Sequence, residues 1–330
     1  MSNAIQDFWA WWPTARPRIT EAIASGQWDE LAAEMSVRVH AIDPDLDWEL
    51  GPGRQAVHAL NLAPRGDTAL RRITERWLAA APTADEAWEF HPARPGNPAH
   101  ASLELELEGT KIDFASFTVA FSVDETRERI DAVFHHPSFH ALEERQRATA
   151  TFLLVDGCFG EDGVERWLGS IETSAPPLDE GRPLPDLLAA VASLASEATG
   201  EQSEAIRGEI DDEPIFVISN RALKRVDHLA CDMSIEITVR LQDPTDQGLP
   251  TNDEADSLDS MEDDLLAALG DTVAYFGRET RRGVRHIQLF APELGPEAAT
   301  IEAWSQAHAA YRIEVAWTHD PTWEQLQRWG

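Results

Sequence analysis

Three histidines fall close together in His135-His136-Pro137-Ser138-Phe139-His140. Zinc sites take His or Cys ligands from a few well-spaced positions, and a site that leaves one coordination position open would support metal-assisted hydrolysis. His136 and His140 are four apart, so a helix would place them on one face. Pro137 interrupts that spacing, and no His-Glu-x-x-His pattern occurs. The plainer reading is a set of surface histidines at a strand-to-helix junction. A second run, Asp243 to Glu254, places Asp243, Gly248 and Glu254 at the first, sixth and twelfth positions of a calcium loop. Thr245 and Gln247 stand where further acids belong, and a strand precedes it rather than a helix. It reads as a solvated acidic loop. Asp156-Gly-Cys-Phe-Gly-Glu161 has the outline of a nucleophile turn, but its surroundings are acidic and would not activate Cys158. No glycine-rich phosphate cradle of either common type is present, and no cofactor is expected.

The remaining chemistry is charge. Between Arg240 and Arg278 there are ten Asp or Glu and no Lys or Arg. On a helix over 253–269, Leu258, Met261, Leu265 and Leu269 would pack inward. Asp259, Glu262, Asp263 and Asp264 would then face solvent as a surface for a basic partner. Arg278, Arg281, Arg282 and Arg285 form a short basic cluster on the two arms of a hairpin, giving this half a dipolar layout. The whole chain carries 27 Lys and Arg against 59 Asp and Glu, a formal charge of −32. Such a surface repels phosphate backbones and anionic lipid, which argues against nucleic-acid and membrane partners and favours a basic protein. The plainer reading of the charge is solubility. Apolar stretches are too short to span a bilayer, and the N-terminus lacks the pattern of a secretory signal. With only Cys158 and Cys231, the chain is expected in a reducing cytoplasm.

The elements that would position these residues follow from periodicity. An aromatic opening, Phe8-Trp9-Ala-Trp11-Trp12, precedes Pro13 and Pro17, with a helix from about Arg18 and another from Trp28. Trp9 and Trp12, three apart, would anchor a short helix on the first module. Strands are predicted at 46–50, 56–62, 88–91, 103–108, 112–114, 117–123 and 130–134, with a helix from Asp67 or Thr68 to Ala81. A helix over 138–148, a strand at 151–155 and a helix over 163–171 complete residues 1–175. Residues 176–205 form a linker with a short Ala/Leu helix. In 206–330 the strand at 215–218 is followed by β-α-β-β-α-β, a ferredoxin-like order. The class is α+β: two modules of antiparallel sheet, each with helices packed on one face.

Residues 206–330 resemble the bacterial domain-of-unknown-function family 695. Ser260-Met-Glu-Asp-Asp-Leu, Ala274-Tyr-Phe-Gly-Arg-Glu-Thr, His286-Ile-Gln-Leu-Phe, Tyr311-Arg-Ile-Glu-Val and Asp320-Pro-Thr-Trp-Glu carry the likeness. The first half is similar to the region that often precedes this domain, through Pro44-Asp-Leu-Asp-Trp-Glu-Leu-Gly-Pro and Asp156-Gly-Cys-Phe-Gly-Glu-Asp-Gly-Val-Glu. The resemblance implies no activity and no catalytic residues. In that family the domain can precede one resembling the regulator of ribonuclease activity B, an acidic protein inhibitor. With the sequence ending at Gly330, that appended domain is expected to be absent. A non-catalytic acidic protein-binding role (regulatory, inhibitory or immunity-like) is therefore the expectation. The metal-assisted hydrolase at His135, His136 and His140 is the alternative.

Overall fold

The structure, a computed structural model, describes residues 2–28, 30–292 and 295–329. Asp29, in the segment read as helical from Trp28, lies outside the described residues, as do Met1 and Gly330. The chain forms two compact units. The first comprises 1–120, 133–165 and 172–186, and the second 121–132, 166–171 and 187–330. The second unit thus takes in the short segments 121–132 and 166–171, which the sequence places in the first module.

The first unit is built around its aromatic opening. Helix α1 (Ser2–Ser25) runs unbroken through Pro13 and Pro17, where two separate segments were expected. Each interior proline removes a backbone hydrogen bond and costs about 3 kcal/mol. Both prolines lie on the exposed side of the helix. The opposite side buries Ile5, Phe8, Trp9, Trp11, Trp12, Ala15 and Ile19, and each large apolar side chain contributes roughly 1.5–3 kcal/mol. Burial therefore outweighs both prolines. The Trp9 indole N–H also donates to the Trp77 carbonyl at 2.8 Å. Helix α2 (Leu31–Ile42) packs Leu31, Met35, Val39 and Ile42 into the same core.

Strands β1 (Asp47–Pro52) and β2 (His58–Ala63) form the expected hairpin, and helix α3 (Arg71–Ala79) crosses over to β3 (Trp88–His91), parallel to β2. Asp67 caps the turn entering α3 by accepting from Ala69 N–H at 2.9 Å. Glu89 braces the hairpin turn by accepting from the N–H groups of Arg54, Gln55 and Ala56. Burial opposes its ionisation. Those donors, together with His91, outweigh burial and hold the Glu89 carboxyl down at about 2. Strands β4 (Glu104–Leu107), β5 (Thr110–Asp113), β6 (Thr118–Asp124) and β7 (Arg129–His135) follow.

The next segment departs from expectation. A 3-10 turn, Pro137–Ala141, leads into α4 (Glu144–Trp167), and the residues read as a strand at 151–155 lie inside that helix. Thr151, Leu154, Val155 and Cys158 are buried while Phe152 and Leu153 are exposed. This is a three-to-four-residue period, which a short apolar run cannot reveal by itself. Residues 168–171, read as helix, start β8 (Leu168–Thr173). Strand β9 (Arg182–Pro183) and helix α5 (Leu184–Glu197) close this stretch.

In the second unit the expected β-α-β-β-α-β order is present as β12 (Met233–Arg240), α6 (Asn252–Leu269), β13 (Ala274–Arg281), β14 (Val284–Ala291), α7 (Pro296–Ala307) and β15 (Arg312–His319). An added hairpin, β10 (Ser203–Ile210) and β11 (Glu213–Asn220), extends the antiparallel sheet to the order β10-β11-β13-β14-β12-β15. Its two-residue turn, Asp211-Asp212, has φ of 55° and 62° at the two residues, the left-handed backbone of a tight hairpin. Strand β10 escaped the sequence reading because every one of its residues is exposed, so no alternation marks it. In β12 the register is the expected one. Ile235, Ile237 and Val239 are buried with Leu258, Leu265, Ile301 and Trp304 from the two helices. Glu236 and Thr238 lie on the other face, half-buried, and Arg240 is exposed.

Candidate functional site

Helix α6 divides its acids between two destinations. Leu258, Met261, Leu265 and Leu269 are buried as expected, and Asp253, Asp256, Asp263 and Asp264 are exposed. Glu262, expected in solvent, is instead 1% exposed. The cause lies in the sheet beneath it. Arg285 on β14 is itself 2% exposed, and a buried guanidinium without a counter-charge costs several kcal/mol. The helix turns Glu262 inward to meet it, with Arg285 Nη1 3.5 Å from Glu262 Oε2 and 2.7 Å from Asp259 Oδ1. Arg278 on β13 pairs with the same two acids at 3.2 Å and 3.0 Å. The Tyr275 hydroxyl donates to Glu262 Oε1, and burial together with that carboxylate pushes the phenol well above its ordinary range. Arg281 is held by Glu279 at 2.6 Å, and Arg282 by Glu213. The basic cluster is thus neutralised within its own unit and is not a separate pole. Of Asp259, Glu262, Asp263 and Asp264, the first two belong to this buried network and the last two to the surface. Asp253, Asp256, Asp263 and Asp264 make no ion pair among the described residues, and all four lie on the solvent side of the helix.

The histidines are spoken for. His135 Nδ1 donates to the Ser174 carbonyl at 3.0 Å. His136 donates from Nε2 to the Asp113 carbonyl at 3.1 Å and accepts at Nδ1 from Ser138 N–H at 3.1 Å. Burial lowers its pKa. His140 Nδ1 donates to the Pro137 carbonyl at 2.6 Å. His136 thus serves as the cap of the 3-10 turn. Among the described residues, no three His, Cys, Asp or Glu side chains are arranged to hold a metal ion, these histidines included. In the acidic loop, Glu254 is buried and accepts from the N–H groups of Gln242 and Asp243, so it closes the turn from within. Cys158 is buried in α4, and burial pushes its thiol up to about 11.

Residues 204–327 match the model of a family of unknown function, DUF695. No curated protein and no solved structure matches the chain. Helix α6, its buried arginine network and the sheet under them all lie inside the DUF695 match. No helix among the described residues is long and apolar enough to cross a membrane.

A second concave site lies in the first unit, outside the DUF695 region, and sequence reasoning passed over it. A cavity of about 210 Å³ is lined by Pro64, Asp67, Arg71, Phe152, Glu161 and Val164, among others. Gly160 (φ 73°) breaks the helical backbone inside α4, and a Cβ there would sit 2.3 Å from the Gly96 nitrogen. This backbone-to-backbone approach re-aims Glu161 and Asp162, and Asp162 meets Arg71 at 2.6 Å. Ninety-one residues separate those partners. The Gly-x-x-Gly-Glu-Asp run was visible in the sequence, but nothing there showed what it faces.

Proposed function

We propose that this chain is a non-catalytic, acidic protein-binding protein, regulatory, inhibitory or immunity-like in role, whose partner presents a basic surface. The observation that supports it best is the unpaired stripe Asp253, Asp256, Asp263 and Asp264 on the solvent side of α6. The same helix spends Asp259 and Glu262 on internal arginines, so the stripe is charge left over after folding has taken what it needs. Four like charges on one helix face are mildly destabilising to the helix itself. They accelerate encounter with a cationic surface, and salt screens them over about 8 Å at physiological ionic strength.

The test compares two variants of equal charge. In one, Asp253, Asp256, Asp263 and Asp264 become Asn. In the other, the exposed acids Glu104, Glu106, Asp179 and Glu180 of the first unit become Gln or Asn. Association with a lysine- and arginine-rich basic peptide is followed by stopped flow across a salt series. The helix variant is expected to associate about tenfold more slowly at low salt and to converge with the parent at high salt. The control is expected to change much less. Equal slowing of both variants would mean that only net charge matters and that α6 carries no recognition surface.

A further inference from the structure

The cavity of the first unit contains one carboxyl that folding leaves without a partner. Arg71 is 3% exposed and is held by Asp162 at 2.6 Å, Glu75 at 3.2 Å and Thr74 Oγ1 at 2.7 Å. Arg94 is held by Asp156 at 3.1 Å and Glu49 at 3.2 Å. Each fixed cation of the cluster therefore already has its acids. Glu161 is in no ion pair among the described residues, and its Oε2 is buried without a hydrogen-bond donor. A buried ionised oxygen in that condition costs about 1–3 kcal/mol, so a donor that reaches it is stabilised there.

The walls describe that donor. Pro64, Phe152 and Val164 supply apolar lining, and Phe152 is 54% exposed. The volume, about 210 Å³, is below the roughly 300–1,000 Å³ of a drug-sized pocket, so it admits one small group. Among the charged residues around it, Asp67 caps the turn before α3, Arg71 begins α3, and Asp156, Glu161, Asp162 and Glu165 come from α4. Acids exceed bases in this lining, and Glu161 makes no ion pair among the described residues.

We propose that this cavity is a receptor for a single organic cation, a guanidinium or primary ammonium on an aliphatic stem, with Glu161 as its counter-ion and Phe152 and Val164 packing the stem. The site is separate from α6, and the inference does not rest on the partner-binding reading.

A bound cation would change the protonation of the Glu161 carboxyl. Burial, with Asp156 and Asp162 adding to it against Arg71 and Arg94, pushes the Glu161 carboxyl up to about 7. A cation needs the ionised form. Binding at pH 6 should then release about 0.9 proton and at pH 8 about 0.1, and affinity should rise about tenfold between them.

The experiment titrates the full chain with n-butylguanidinium by calorimetry at pH 6 and pH 8, in buffers of differing ionisation heat. Neutral n-butylurea serves as the control of equal shape. Saturable binding, proton release at pH 6 and a roughly tenfold gain at pH 8 are expected. Glu161→Gln should lose the proton release and bind at least tenfold more weakly at pH 8. Phe152→Ala, which keeps every charge, should weaken binding and preserve the proton release. A blocked tripeptide Gly-Arg-Gly separates the two sources of such a cation. Tighter binding of the peptide assigns the site to a protein side chain, and tighter binding of n-butylguanidinium assigns it to a free small molecule. Three results would each overturn the proposal: n-butylurea binding as well as the cation, Glu161→Gln binding unchanged, or no binding of any cation at millimolar concentration.

Discussion

Glu262→Ala is the substitution that most directly probes how α6 is held on its sheet. The variant leaves Arg285 (2% exposed) and Arg278 facing a single acid, Asp259, whose side chain is 45% exposed. Breaking a buried ion pair by removing one partner costs about 3–5 kcal/mol. Asp259 still reaches Arg285 at 2.7 Å and Arg278 at 3.0 Å, which puts the loss near the lower end, about 3 kcal/mol. In a unit of this size each kcal/mol lowers the melting temperature by about 2–4 °C, so a fall of about 6–12 °C is expected. Asp259→Asn should cost about 1 kcal/mol or less, because its charge is half in water and screened. Urea unfolding combined with hydrogen exchange of peptides from β13 and β14 reads the second unit specifically. Equal losses from the two variants, or a loss below about 1 kcal/mol for Glu262→Ala, would refute the view that burial and not proximity makes Glu262 the anchor.

Other expectations follow from the same geometry. Glu128 accepts from the N–H groups of Thr199 and Gly200 and from Lys224 Nζ at 3.1 Å, and these partners outweigh burial to hold it down at about 2. Its folded pKa lies below the unfolded value near 4.3, so its contribution is complete above about pH 5 and is lost as pH falls towards 2. Acid unfolding of the second unit should therefore begin near pH 5, and Glu128→Gln should flatten that slope while lowering stability at pH 7. Pro17→Ala restores a helical N–H on the exposed side of α1 and should raise stability by about 1–3 kcal/mol, measured by urea unfolding. Cys158, buried and with its thiol raised to about 11, should resist thiol reagents at pH 8 in the native state and react at once in urea.

What could be read from the sequence, and what could not, divides along the range of the interactions. Strand β12 and helix α6 were legible because alternation and three-to-four spacing each report one buried face, and Ile235, Ile237, Leu258 and Leu265 occupy those faces. Strand β10 has no buried face and gave no period. The segment 151–155 has a buried face too short to separate the two periods, and it folds as helix. The acids of α6 show the deeper limit. Asp259, Glu262, Asp263 and Asp264 have nearly the same local pattern, and helical phase alone places Glu262 beside Met261 at the margin of the apolar face. Its inward turn is decided by Arg285, twenty-three residues away on β14, which burial on the sheet deprives of water. The Glu161 cavity has the same logic in reverse. There Arg71 and Arg94 are taken by Asp162 and Asp156, and the carboxyl that remains is defined by partners it lacks. Counting charges along a sequence cannot separate an acid that folding consumes from one it leaves over, because the difference lies in which guanidinium the fold brings within about 3 Å.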